Sequence, residues 1–394
     1  MRFIKETKIP FLSYRWYAIG GSCLLILAGL GLMFLGPGLN LGIDFAGGTQ
    51  VTLKFHQAPD LKRLRHTLEG LNVGAPVIQR FDEPEKHEIL IRVENPEGKE
   101  GDFTKPILDL LNKEFNGDLG DKFDLNTQGR KELTDLLVAA DPDGIGGDKE
   151  TLTDHYQPMA EAVLAYRKLH GIFASTDELA SIQGLSDAAR SMLKVRCTTG
   201  EYSLLGAQSV GPAVGADLRE KAELAIVFSL IGMLVYIWIR FQLPYGVGAV
   251  VALFHDVLIT LGALAFTQRE INLPTIAALL TLVGYSVNDT VVVFDRVREN
   301  LRLKRGAELQ PLMDESINQT LSRTLITSGT TLVVVIFLYL FGGDVINTFA
   351  FVLLVGIIVG TYSSIFIASP VALGMTKAFA KIKQRRREKR HRRR

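Results

Sequence analysis

Six apolar runs of about twenty residues, centred near Leu25, Ile231, Ala252, Leu282, Val335 and Ile358, constrain this chain more than any other feature. A run of that length crosses the hydrocarbon core of a bilayer, where the backbone must close its own hydrogen bonds as a helix. The expected fold is therefore a polytopic α-helical membrane protein with six transmembrane helices. The first run, residues 16–35, follows basic residues but is longer than a signal-peptide core and has no A-x-A cleavage site, so an uncleaved anchor is expected. The remaining five fall near 221–240, 245–266, 274–295, 324–341 and 346–373. Composition agrees, with 47% apolar and 22% charged residues among 394.

The net charge of +2 hides an asymmetry: residues 37–218 hold 19 Lys+Arg against 29 Asp+Glu, and the rest hold 25 against 13. Basic residues crowd the stretch from Arg2 to Arg15, the loop with Arg296, Arg298, Arg302, Lys304 and Arg305, and the tail from Lys377 to Arg394. Cytoplasmic loops concentrate Lys and Arg, so N-in, C-in topology is expected, with 37–218 as an extracytoplasmic domain. The expected divisions are 1–36, 37–218, a five-helix bundle at 219–376 and a basic tail at 377–394. The tail is expected to contact anionic lipid and set topology rather than to bind RNA.

Within the outer segment, strand-like patterns at 49–55, 75–81, 87–93 and 201–208 alternate with helical ones at 60–71 and 103–115. The order β-α-β-β-α-β is that of an extracytoplasmic α+β ferredoxin-like domain. A helical insertion at 116–199 interrupts it. There Asp141-Pro-Asp-Gly-Ile-Gly-Gly-Asp148 has the flavour of a calcium loop but carries Leu152 where a bidentate Glu is needed, so a Gly-rich turn is expected. Residues 171–185 resemble a helix-hairpin-helix in an acidic setting, and a packing module without nucleic acid is expected. Cys23, inside an apolar run, and Cys197, in a polar stretch, cannot form a disulfide framework.

No phosphate loop, H-E-x-x-H or C-x-x-C marks an enzyme, and no metal or cofactor is expected. Ionisable residues inside apolar runs stand out instead, because a charge at the bilayer centre costs roughly 2.5–3.5 kcal/mol on insertion scales. His255 and Asp256 lie mid-way along the third run. Asp289 lies in the fourth. Arg323 opens the fifth on a face shared with Thr327 and Thr330 or Thr331, at a depth similar to that of Asp289. A carboxylate with a movable cation partner suits a proton relay, and a static ion pair that fixes helix register is the alternative. Gly356 and Gly360 form a G-x-x-x-G, for internal packing or a subunit contact.

Four motifs together resemble the SecF family of the bacterial Sec translocase: Gly42-Ile-Asp-Phe-Ala-Gly-Gly-Thr49, Val210-Gly-Pro-Ala-Val-Gly215, Tyr285-Ser-Val-Asn-Asp-Thr290 continuing to Asn300, and Asn318-Gln-Thr-Leu-Ser-Arg-Thr-Leu-Ile-Thr-Ser328. The resemblance covers 1–115 and 200–376, in order, and departs at the insertion. It implies a resistance-nodulation-division-type fold and a proton-driven accessory of protein export. The implied partners are SecD, the SecYEG channel and preprotein, with YajC and YidC as further candidates, in the bacterial inner membrane. It assigns proton coupling to Asp289 and Arg323; Asp256 and His255, read from the residues alone, are either further relay candidates or interhelical hydrogen-bonding groups. Asp44, Gly47, Gly48, Gly211 and Pro212 then belong to structural motifs, where paired glycines suit a turn with positive φ. Two rival functions remain: a non-transducing scaffold of the translocase, and a small-molecule exporter of the wider superfamily.

Overall fold

The computed structural model describes residues 7–71, 76–81, 86–94, 101–117, 122–304 and 306–391. Arg2, Ala75, Arg305 and the last three arginines, which entered the expectations above, lie outside the described residues. Helix α1 spans Arg15–Phe34 and is followed by α2 (Ile43–Ala46), β1 (Gly48–Phe55), α3 (Leu61–Glu69), β2 (Val77–Phe81), β3 (Glu88–Val93) and α4 (Thr104–Leu111). Next come β4 (Phe123–Asp124), α5 (Arg130–Ala140), α6 (Lys149–His170), α7 (Asp187–Arg196), β5 (Cys197–Thr198) and β6 (Tyr202–Val210). The chain ends in α8 (Pro212–Arg240), α9 (Leu243–Thr267), α10 (Leu273–Leu303), α11 (Leu309–Phe341), α12 (Gly343–Ser363) and α13 (Ser369–His391). It divides into two compact units, Ile43–Asp217 and Met1–Gly42 with Leu218–Arg394.

In the first unit a four-stranded sheet has the order β2-β3-β1-β6, with every neighbouring pair antiparallel. β1 alternates because one face is covered: Val51, Leu53 and Phe55 are buried with Leu64 and Leu68 of α3 and Ile107 and Leu111 of α4. Asp60 caps α3 by accepting the Lys62 amide at 2.8 Å, a contact worth about 1 kcal/mol.

The insertion has its own core, built on Leu133, Leu137, Tyr156, Val163, Phe173, Leu179 and Leu193. Its two ends are clamped together. The Glu201 amide donates to Asn116 Oδ1 at 2.7 Å, the Gly200 amide donates to Asp124 Oδ1 at 3.0 Å, and β4 pairs with β5 in parallel. The acidic loop is a cap: Asp141 accepts from Tyr156 Oη at 2.7 Å and from the Ile145 and Gly146 amides, while Asp148 caps α6. In the hairpin, Arg190 spends its guanidinium on the carbonyls of Leu179, Ile182 and Leu185. Although its stretch of sequence is polar, Cys197 is buried with this core, and Cys23, on α1, is exposed.

Among the described residues of the second unit, five helical stretches are long and apolar enough to cross a membrane: Phe11–Phe34, Leu243–Thr267, Leu273–Leu303, Leu309–Phe341 and Ile346–Ile382. The region expected as a loop at 296–323 is mostly helix, since α10 runs on to Leu303 and α11 begins at Leu309. Polar residues zip those extensions together. Asn300 donates to Ser316 Oγ at 2.8 Å, Arg296 to Gln319 Oε1 at 2.6 Å and Lys304 to Glu315 at 2.5 Å. The tail is likewise helical as far as His391, after a π-turn at Ser364–Ala368.

Close helix approach depends on glycine. A Cβ at Gly29 on α1 would lie 2.9 Å from Gly262 Cα on α9, and one at Gly248 would lie 2.6 Å from Ala368 O. Gly356 and Gly360 bring α12 onto α10: a Cβ at Gly356 would strike the Leu282 side chain, and one at Gly360 would lie 3.2 Å from Ser286 Cβ. The G-x-x-x-G is thus an internal contact, as small-residue pairs in packed helices commonly are.

Candidate functional site

The glycine-rich motifs meet inside the sheet unit. Gly47 (φ 72°) and Gly48 (φ 131°) adopt backbone that an L side chain rarely takes, and both are also crowded. A Cβ on Gly47 would lie 3.1 Å from Pro212 Cα, and one on Gly48 would lie 2.5 Å from Val93 O. Gly215, in turn, lies against Gly47 N at 3.0 Å from its would-be Cβ. Pro212 opens α8 at a position where its missing N–H costs nothing. Asp44 sits in the first turn of α2. Gly211 has open space where a Cβ would stand, so it has no steric reason to be glycine.

Among the described residues, two buried carboxylates lie within the bundle. Asp256, fully buried on α9, has three donors: His255 Nδ1 reaches Oδ1 at 2.8 Å, Ser363 Oγ of α12 donates to Oδ2 at 2.8 Å, and Ser286 Oγ of α10 donates to Oδ2 as well. His255 Nε2 lies 2.9 Å from Ser22 Oγ of α1, which lies 3.2 Å from Tyr362 Oη; that hydroxyl donates to Ala18 O at 2.9 Å. One polar chain therefore joins α1, α9, α10 and α12.

Asp289, on α10 one turn after Ser286, is 1% exposed. Only its Oδ2 is engaged among the described residues, by Ser328 Oγ of α11 at 3.0 Å and Thr361 Oγ1 of α12 at 3.4 Å. Thr361 Oγ1 also lies 2.9 Å from Ser328 Oγ, so its one hydrogen is shared between that hydroxyl and the carboxylate. Nearby on the same helices, the buried oxygens of Tyr285 and Thr324 have no partner among the described residues. A buried hydroxyl left unpaired costs roughly 1–3 kcal/mol.

Arg323 does not pair with Asp289, which corrects the expectation of a matched pair. Asp289 meets Ser328, five residues further along α11. Five residues are about 7.5 Å along a helix axis and about 140° around it. Arg323 instead shares an exposed face with Thr327 and Thr330, while Thr324 and Ser328 make the buried one. Sequence reasoning found both carboxylates and missed their hydroxyl partners, although the run Thr361-Tyr-Ser-Ser364 inside an apolar helix was a visible signal.

Fold and site define a multi-pass helical membrane protein with ionisable groups inside its apolar helices. Residues 192–378 match the family described as protein export membrane protein SecD/SecF, C-terminal, and residues 33–59 match the SecD/SecF GG motif. A protein translocase subunit SecF from Koribacter versatilis is 40% identical over 379 residues, covering 94% of this chain and 92% of that protein. The SecF of Vibrio alginolyticus is 36% identical, covering 85% of this chain and 80% of its own. The crystal structure of SecDF, a translocon-associated membrane protein from Thermus thermophilus, matches at a TM-score of 0.64 and 29% identity, covering 94% of this chain. This chain spans 39% of that longer one. The chain belongs to the SecF family of protein translocase subunits, within the wider SecD/SecF family.

Proposed function

We propose that this chain works beside a SecD-type chain at a SecYEG channel and uses the proton gradient to drive late-stage export of preproteins. One observation carries the reading: Asp289 and Asp256 are buried in helices apolar enough to cross a membrane, and hydroxyl donors from neighbouring helices hold them. Intramembrane carboxylates are costly and mark ion pathways. Asp289 is the group that exchanges the proton, since its few contacts are rotatable hydroxyls rather than a fixed cation.

His255, in the separate network around Asp256, ties α9 to α1. Tyr362 commits its one hydrogen to Ala18 O, so Ser22 donates to Tyr362 and the imidazole donates to Ser22. Each charge that crosses the field supplies about 2.3 kcal/mol per 100 mV.

The proposed topology has six spans in the bacterial inner membrane, counting the 29-residue α8, with both termini inside. The sheet unit is then extracytoplasmic and ferredoxin-like, a reading supported by its strand order.

Preprotein translocation in vesicles carrying channel and partner, with and without an imposed proton gradient, tests the reading. Asp289→Asn should assemble normally and lose the gradient-dependent part of export, and unchanged stimulation would return Asp289 to a scaffold role. Because Cys197 is buried, orientation needs another reporter: Leu169→Cys, on the exposed face of α6, in a chain lacking Cys23 and Cys197. An impermeant maleimide should label it in intact spheroplasts.

A further inference from the structure

At the end of the bundle where the apolar stretches of α8, α10 and α11 give way to charge, a cleft of about 650 Å³ is lined by five arginines: Arg240, Arg296, Arg298, Arg302 and Arg323. Only two acids, Asp295 and Glu299, share the lining, and both are taken. Arg240 holds Asp295 at 2.8 and 2.9 Å, and Arg296 holds Glu299 at 2.6 Å. Arg298, Arg302 and Arg323 have no counter-ion among the described residues. Arg298 and Arg302 stand four residues apart on one face of α10, a spacing at which like charges repel, and Arg323 closes the cleft from α11.

The geometry points to a binding site for the phosphodiester of an anionic phospholipid in this cleft. Guanidinium groups match phosphate oxygens in paired, charge-assisted hydrogen bonds. Three of them converging on one concave surface can surround an oxyanion as flat surface lysines cannot. A lipid is favoured over soluble phosphate because apolar surface borders the same cleft. Ile239, next to Arg240, is 81% exposed; Leu303, in the lining, is 72% exposed; Leu325 and Ile326, just past Arg323, are 44% and 40% exposed. Acyl chains would cover that surface while the headgroup sits among the arginines. The inference is independent of proton coupling and stands on different residues from Asp289 and Asp256.

Retention of phosphatidylglycerol by the purified full-length chain, read by native mass spectrometry against phosphatidylcholine, tests the site. Each basic residue near an anionic headgroup is worth about fivefold, so Arg298→Gln with Arg302→Gln should weaken retention about 25-fold. Both residues lie on a helix surface, and an unchanged circular dichroism melt would confirm that folding is not the cause. Lys131→Gln with Lys168→Gln removes the same charge from exposed helix surfaces of the insertion and should change retention less than threefold. Equal losses from the two pairs would reduce the effect to diffuse surface charge and overturn the site. Competition by millimolar inorganic phosphate with undiminished strength would overturn the lipid assignment in favour of a soluble anion. Loss of bound lipid when a SecD-type chain is co-purified would show that protein, not lipid, fills the cleft.

Discussion

Asp256 and Asp289 are both buried carboxylates of the same bundle, and they are held in different ways. Asp256 is engaged on both oxygens by an imidazole and two serines, so its position is over-determined by three helices. Asp289 is engaged on one oxygen by two hydroxyls that also bond each other. Buried polar networks are rigid when every member is satisfied and adjustable when they are not. The contrast separates an anchoring site from a switching one within about one turn of α10, since Ser286 serves the first and Asp289 is the second.

Truncation tests the contrast most severely. Asp256→Ala strands three buried donors at once and should destabilise the protein by roughly 3–5 kcal/mol, the range for breaking a buried ionic network. Asp289→Ala leaves Ser328 and Thr361 bonded to each other and should cost about 1–2 kcal/mol. Thermal unfolding of the two variants in the same detergent measures the difference, and equal losses would erase the distinction between the sites.

The helix contact that brings α10 and α12 together at these sites can be tested next. Gly356→Ala places a methyl against Leu282 and should destabilise by about 1–3 kcal/mol, as overpacked cores do. Leu282→Ala in the same chain should recover most of that loss. Failure of the second change to rescue the first would mean that the glycine serves something other than this packing.

The two carboxylates were legible in the sequence because a charge in an apolar run is rare and costly. Their partners were not, because Ser22, Ser286, Ser328 and Ser363 are ordinary helix residues whose significance depends on which helices become neighbours. The pairing of Asp289 with Arg323 went astray for a geometric reason: depth along a span is readable from sequence, but the face a residue presents depends on packing. Arg323 lies on the exposed side of α11, whereas Thr320, Thr324 and Ser328, at four-residue spacing, form its buried side. The positions of the four strands β1, β2, β3 and β6 were legible from alternation. The helical continuation of α10 and α11 through residues 296–303 and 309–323 was not, since cross-helix bonds such as Asn300 to Ser316 have no local signature.

Carboxylates outside the bundle offer a milder contrast with the buried pair. Asp141 is held below the usual carboxylate range, first by the Tyr156 hydroxyl and then by the Gly146 amide, and Asp143 first by Ser186 and then by His155. A depressed folded value stabilises the ionised loop. That contribution is present above the ordinary value of 3.8 and is lost as pH falls through the lower folded value. The Gly146 amide donates to Asp141 Oδ2 at 3.0 Å, so its NMR resonance in a glycine-labelled sample should follow this titration with a midpoint below 3.8. Asp141→Asn should abolish the shift, and Tyr156→Phe should move the midpoint up because the largest contributor is gone. A wild-type midpoint above 3.8 would mean that the loop does not hold the ionised form. Asp141 would then no longer serve as the ordinary, hydrogen-bonded carboxylate against which Asp256 and Asp289 stand out.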